Sequence, residues 1–184
     1  ELYTFTTPGR DGTSLGEGCY YRGGTRITFN GSTMKVLSPQ TKASTLTFPT
    51  SQARDQYDAR CLDLDQDTRF EQTITSIPPV IYVDDFAGTC TAGKKNATEN
   101  YVVTGGASGV GLPASGEKYV PGTATDSHTG CGDAITSNYD CHRGTAYVQG
   151  NVNGKVTIGA NKDVVATGDI TRANGATGKD AIGL

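Results

Sequence analysis

Apolar residues along this chain alternate with polar ones in short runs. Thr25-Arg26-Ile27-Thr28-Phe29 and Lys155-Val156-Thr157-Ile158 place every second side chain on one face, the period of a half-buried strand. Nowhere do apolar residues repeat at i, i+3, i+4, i+7 for three turns, so long helices are not expected. Ile27 through Leu37 reads as two alternating strands around a type I′ turn, stopped by Pro39. Residues 40–78 are polar and punctuated by Pro49, Pro78 and Pro79; a short helix is expected only over Ser51 to Leu62. Segments 86–100 and 122–145 are similarly loop-like, and loops usually carry whatever binding a β scaffold performs.

A recurrence overlies this pattern. Tyr82-Val83, Tyr101-Val102 and Tyr119-Val120 follow one another at nearly even spacing, and Tyr147-Val148 comes after a wider gap that contains Cys131 and Cys141. At nearly the same spacing, Tyr147 to Val152 is echoed by Val165 to Ile170, and Lys162 to Val165 by Lys179 to Ile182. Fixed-period similarity marks stacked architectures, in which neighbouring repeats complete one another's core. The expected fold is therefore mainly β, a single-stranded β-solenoid or parallel β-helix with loop insertions. It would form one domain over 1–184, irregular over 1–78 and repeat-like over 79–184. The alternative is an antiparallel β-sandwich, in which Tyr-Val pairs reflect ordinary strand preference and Asn30-Gly31, Asn153-Gly154 and Asn174-Gly175 are hairpin turns.

Composition agrees with many turns and short strands: 25 of the 184 residues are Gly and only 35% are hydrophobic. A net charge of −3 with interspersed signs leaves no footprint for nucleic acid. No apolar stretch approaches the ~20 residues a membrane helix needs. The chain begins at Glu1 without an initiator Met, so a processed or fragmentary chain is expected. Cys19, Cys61, Cys90, Cys131 and Cys141 lie among turns rather than in paired C-x-x-C knuckles, which favours disulfides in an oxidising, extracellular setting. Cys131–Cys141 is the first expected pair, and an odd count leaves one thiol over. The sequons Asn30-Gly31-Ser32 and Asn96-Ala97-Thr98 make Asn30 and Asn96 glycosylation candidates.

Few constellations carry chemistry. Asp63, Asp65 and Asp67 alternate as at the start of a calcium loop, but Thr68 and Ile74 stand where an EF-hand needs Gly and Glu. His128, Cys131, Cys141 and His142 supply a tetrahedral zinc set in composition, although an adjacent Cys-His within a turn-rich region favours a disulfide with exposed histidines. Asp84-Asp85 is the best local pair for glycan hydrolysis, yet adjacent strand residues point to opposite faces. Gly106-Ala107-Ser108-Gly109 lacks the spacing of a nucleophile elbow, and Gly105 to Gly111 lacks a phosphate-loop ending. Tyr20, Tyr21 and Tyr139 mark Tyr-rich segments suited to stacking on sugars.

Three stretches resemble one group of proteins. They are Gly24-Thr25-Arg26-Ile27 through Met34-Lys35-Val36 to Ser38-Pro39-Gln40-Thr41; Leu112-Pro113-Ala114-Ser115-Gly116 leading into Tyr119-Val120; and Gly150 to Ile158 through Asp163-Val164-Val165 to Thr167-Gly168-Asp169-Ile170. Over about half the chain they are similar to actinobacterial surface proteins with a pilin-accessory-like membrane helix, described as PilX N-terminal domain-containing proteins. The resemblance implies an exported, membrane-tethered or pilus-associated protein with no catalytic residues to carry over. The membrane helix of that group has no counterpart here, so a membrane link would run only through a segment absent from this chain.

Together these readings predict a non-catalytic extracellular structural or surface protein, pilus-associated or self-assembling, without cofactors. Its expected partners are itself or other cell-envelope components. A polysaccharide-acting β-helix enzyme and a carbohydrate-binding module are the alternatives.

Overall fold

A computed structural model describes residues 18–48, 50–89, 142–175 and 178–184. Its strands are β1 (Gly18–Arg22), β2 (Thr25–Gly31), β3 (Thr33–Leu37), β4 (Gln72–Ile74), β5 (Val80–Asp84), β6 (Ala146–Val152), β7 (Lys155–Ala160), β8 (Val164–Arg172) and β9 (Ala181–Gly183), with one α-helix, α1 (Ser51–Arg60). The chain is mainly β. Two open sheets form, in the orders β1-β5-β7-β9 and β4-β3-β2-β6-β8. Every pairing in the first sheet is parallel, as are β2 with β6 and β6 with β8. Among the described residues, antiparallel pairing is confined to β2-β3-β4. The chain passes from first sheet to second at β1–β2, β5–β6 and β7–β8, and pairing crosses the 78/79 boundary freely.

One core lies between the sheets. Alternation directs Cys19, Tyr21, Ile81, Val83, Val156 and Ile158 inward from the first sheet, where they meet Ile27, Phe29, Met34, Val36, Val148 and Val152 from the second. Burying each large apolar side chain contributes about 1.5–3 kcal/mol. The alternating runs at 25–29 and 155–158 are thus the core-facing strands their period predicts.

Corners hold the register. At the first corner, Tyr21, Val83 and Ala160 are aligned on one sheet, and Thr25, Ala146 and Val164 on the other. Residues 22–24 connect one pair and 161–163 another; Asp84, Asp85, Gly144 and Thr145 do so for the middle pair. Backbone bonds run between them: Gly23 N to Asp84 O at 2.7 Å, Asn161 N to Val83 O at 2.8 Å and Lys162 N to Gly144 O at 3.0 Å. A Cβ on Gly144 would lie 2.5 Å from the Asp84 carbonyl carbon, so only glycine permits this approach. The chain leaves the middle corner after Asp85 and returns at Gly144. Its stems are joined by Phe86 N to His142 O at 2.9 Å and by Phe86–His142 ring stacking at 6.4 Å.

The opposite corner corrects the hairpin reading of two Asn-Gly pairs. Asn153-Gly154 joins β6 to β7 in different sheets, and Asn174-Gly175 lies between β8 and β9. Their side chains form a ladder: Asn153 Nδ2 donates to Ser32 Oγ at 3.1 Å, and Asn174 Nδ2 donates to Asn153 Oδ1 at 3.2 Å. Asp180 closes it by accepting from the backbone N–H groups of Gly154 and Asn174, each at 2.9 Å. The β2–β3 connection is a hairpin, but Asn30 pairs with Thr33, so Gly31-Ser32 forms its centre. Gly31 has φ 63°, and no described non-glycine residue has positive φ. This is the pattern of a type II′ turn rather than the expected type I′.

The recurrence is realised only in part. Tyr147 and Val148 pair with Val165 and Ala166, matching the echo between these segments. Beyond that, β6 advances from 148 to 150 while β8 advances from 166 to 170, a bulge that ends the match. Gly150 adopts φ 109°, where an added Cβ would fall 2.1 Å from Phe29 O. Tyr82-Val83 and Tyr147-Val148 lie in different sheets and are not stacked equivalents, and neither are Val164-Val165 and Ala181-Ile182. These repeats share strand preference rather than position. Tyr101 and Tyr119 lie outside the described residues.

A cap covers the edge of β1. The expected helix forms over Ser51–Arg60, with Thr50 Oγ1 accepting from Ala53 N at 3.1 Å as its N-cap. Tyr57 Oη donates to Tyr20 O at 2.7 Å, Tyr21 Oη to Cys61 O at 2.9 Å, and Arg22 N to Thr41 Oγ1 at 2.8 Å. Buried hydroxyls extend this contact, with Thr41 to Ser38 and Ser38 to Thr25 both at 2.7 Å, and Thr25 Oγ1 to Gly23 O at 3.0 Å. Because Thr25 directs its proton to a carbonyl, Ser38 donates to Thr25 and Thr41 donates to Ser38. A Cys19–Cys61 disulfide fastens the cap, both residues being fully buried. Within the 40–78 stretch, a 3-10 turn at Ala43–Thr45 and the short strand β4 are the elements that the polar composition does not predict.

The corners make two expectations measurable. Joining Asp85 directly to Gly144 leaves four connecting residues, one more than its neighbours, and is expected to preserve cooperative unfolding and Cys19–Cys61. Circular dichroism melts and non-reducing peptide mass mapping check this; a non-cooperative melt would overturn it. At Asp180, the hydrogen bond from Asn174 N–H comes first in holding the carboxyl below its ordinary range, opposed by burial and reinforced by Gly154 N–H. A depressed carboxyl contributes stability at neutral pH that is lost as pH falls through its folded pKa. Asp180→Asn should therefore melt lower than wild type at pH 7, with the difference narrowing below about pH 4.

Candidate functional site

The outer face of the first sheet gathers polar and aromatic side chains that the core does not use. On β1 and β5, Tyr20 is in register with Tyr82 and Arg22 with Asp84. The two tyrosine rings are near-parallel at 18°, with centroids 6.1 Å apart. Arg22 lies over the Tyr20 ring, 5.0 Å from its centroid. Tyr20 Oη donates to Asp84 Oδ2 at 2.5 Å, and Arg22 Nη1 donates to the same oxygen at 3.1 Å. Burial, then the bond to Asp84, raise the Tyr20 phenol above its ordinary range, so it remains a protonated donor.

Asp84 and Asp85 do not act as a pair. Asp84 is taken up by Tyr20 and Arg22, and its Oδ1 accepts from Asp85 N at 2.8 Å. Asp85 turns into the corner, where it accepts from Gly144 N at 2.7 Å and meets Lys162 Nζ at 3.4 Å. Burial opposes ionisation of Asp85, but Gly144 N–H and Lys162 outweigh it and hold the carboxyl below its ordinary range. Asp85 thus lacks the raised pKa of a general acid, and Asp84 is held by Tyr20, Arg22 and the Asp85 N–H.

The acidic run assembles differently from its expected order. Asp63 and Asp65 come together with Asp58 of α1, all three offering oxygens within 4.8 Å of one another. Asp67 instead forms a fork with Arg69, whose Nε lies 2.8 and 2.9 Å from its oxygens. Within the trio, Arg54 pairs with Asp65 and lies 3.4 Å from Asp58, so a guanidinium already supplies the positive charge. Asp58 Oδ1 accepts from Leu64 N at 3.1 Å and Asp63 Oδ1 from Asp65 N at 3.0 Å. Burial, the largest influence, raises the Asp58 carboxyl despite Leu64 N–H and Arg54. Spacing alone does not mark Asp58, because its approach depends on α1 ending beside the loop.

The remaining candidates separate. His142 Nε2 lies 3.1 Å from Gly88 O, at the stems of the middle corner. His128, Cys131 and Cys141, hence the expected Cys131–Cys141 disulfide and the zinc set, lie outside the described residues, as do Asn96 and Tyr139. Asn30 is exposed at the end of β2. Tyr21 is fully buried, which removes it from any sugar-stacking surface. Sequence reasoning misses the Cys19–Cys61 bond, since the partners are 42 residues apart and only the cap joins them. It points to an oxidising, non-cytoplasmic environment. Among the described residues no helix is long and apolar enough to cross a membrane.

Comparison with protein-family models, with curated proteins and with solved structures finds no match to this chain.

Arg54 makes the acidic trio testable. About 1 mM calcium, within the range of extracellular calcium modules, is expected to leave the wild-type melting temperature unchanged. Arg54→Gln should melt lower and regain stability on adding calcium. Saturable calcium stabilisation of the wild type would show that Arg54 does not fill the site.

Proposed function

We propose that this chain is a non-catalytic extracellular structural module, a short β-solenoid of a cell-surface or pilus-associated protein. The observation that carries this reading is the ordered stacking of strands in both sheets, joined by two columns of hydrogen-bonded corners. Such stacking makes a stiff scaffold whose corners tolerate inserted chain. Engagement of Asp84 and Asp85 in structural contacts supports a non-catalytic role. The buried Cys19–Cys61 bond supports export, and the resemblance in the first and third matched stretches supports a place at the cell envelope. Its partners are copies of itself or other envelope components. Contact through β1 is disfavoured because the cap already occupies that edge.

Cell fractionation and surface biotinylation of the producing organism, read with an antibody to this chain, test the proposal. The expected result is a surface-labelled pool in which Cys19 and Cys61 resist alkylation until reduction. A cytosolic pool with both thiols alkylated would refute it.

A further inference from the structure

The outer face of the first sheet has features that scaffolding does not require. Inward alternation accounts for Tyr21, Ile81, Val83 and Ile158, leaving Tyr20, Val80 and Tyr82 on the opposite face. Val80 is 37% exposed, one of two exposed large hydrophobic residues among those described, and it precedes Tyr82 by two positions on the same face. In register beyond Tyr82 comes Gly159. A Cβ there would lie 3.1 Å from Tyr82 Cδ2, so the tyrosine leans across the next strand over a position kept free of a side chain. Tyr20 follows it in near-parallel orientation. The result is a row of two half-buried aromatic rings bordered by an exposed aliphatic side chain.

Charge selects the ligand class. Two cations near this face are neutralised, Arg22 by Asp84 and Lys162 by Asp85, while the exposed Lys155 lies four positions before Gly159 along β7. A charged polymer would therefore meet a single cation uncompensated among the described residues, set apart from the ring row, and gain little from it. A neutral chain with alternating apolar C–H faces and hydroxyls suits rings fringed by a fixed carboxylate and guanidinium. Both polar groups are held in place before binding, Asp84 by Tyr20 and Arg22 by the Asp85 carbonyl at 3.0 Å. We infer that this face binds a neutral polysaccharide, with the Tyr82 ring stacking on a sugar face beside Val80, while Tyr20, covered by Arg22, braces Tyr82, and Arg22 and Asp84 meet hydroxyls at its edge.

Affinity electrophoresis of the full chain in native gels containing hydroxyethylcellulose, laminarin, xylan, mannan or polygalacturonate tests this. Retardation by at least one neutral polymer, insensitive to added salt, is expected. Tyr82→Phe should retain it and Tyr82→Ala should weaken it about tenfold, the loss of one good stacking contact. Val80→Glu alters an exposed side chain and should also weaken binding, which keeps the test informative if Tyr82→Ala does not fold. The inference is overturned if no neutral polymer retards the chain. It is equally overturned if only polygalacturonate retards it and salt abolishes the effect, or if folded Tyr82→Ala and Val80→Glu both bind like wild type.

Discussion

Parallel pairing imposes a geometric demand on this chain that every other element answers. Two parallel neighbours cannot be joined by a tight hairpin, so the polypeptide must travel elsewhere between them. Here it covers that distance in a second sheet, and the core is what the two sheets enclose. The demand then falls on the corners, where direction changes within a few residues and backbone groups would otherwise lack partners. Gly144 admits close backbone approach at one corner. Side-chain amides and Asp180 supply hydrogen bonds at the other. Where the stack meets its first strand, α1 and the buried hydroxyls take over the role a further strand would play.

Much of this is legible in the sequence because strand alternation is local. The runs at 25–29 and 155–158 are core strands, and the helix near 51–60 follows from its bounding residues. Partnership is not local, and there reading along the chain reaches its limit. The Tyr-Val pairs look equivalent because tyrosine and valine suit any strand, yet Tyr82 and Tyr147 occupy different sheets. The Asn-Gly pairs look like hairpins because the same dipeptide satisfies both a hairpin and a corner. Only the stacking of Asn153 on Ser32 and Asn174 on Asn153 separates the two.

The site follows the same division. Tyr20 is visible along the chain as an aromatic, but its ring partner Tyr82 lies far off in sequence, past the cap and β2–β4, and becomes a neighbour through register alone. Asp84 and Asp85 carry the right functional groups for acid–base chemistry, yet alternation and the corner send them to different partners. Spacing marks Asp63 and Asp65, while Asp58 and Arg54 join them only because the helix ends beside that loop. Chemistry in this molecule is therefore a property of stacking more than of motif.

The middle corner has an entropic side. Asp85 and Gly144, adjacent at the corner, are separated in sequence by segment 86–143. Closing a flexible loop costs free energy that grows only with the logarithm of its length. A tenfold change in the number of connecting residues changes that cost by only about 2 kcal/mol. The contacts between Phe86, Gly88 and His142 shorten the loop that must actually be closed. Length at this position is thermodynamically cheap, so the corner can accommodate large changes in sequence while the stacked strands beside it keep their register.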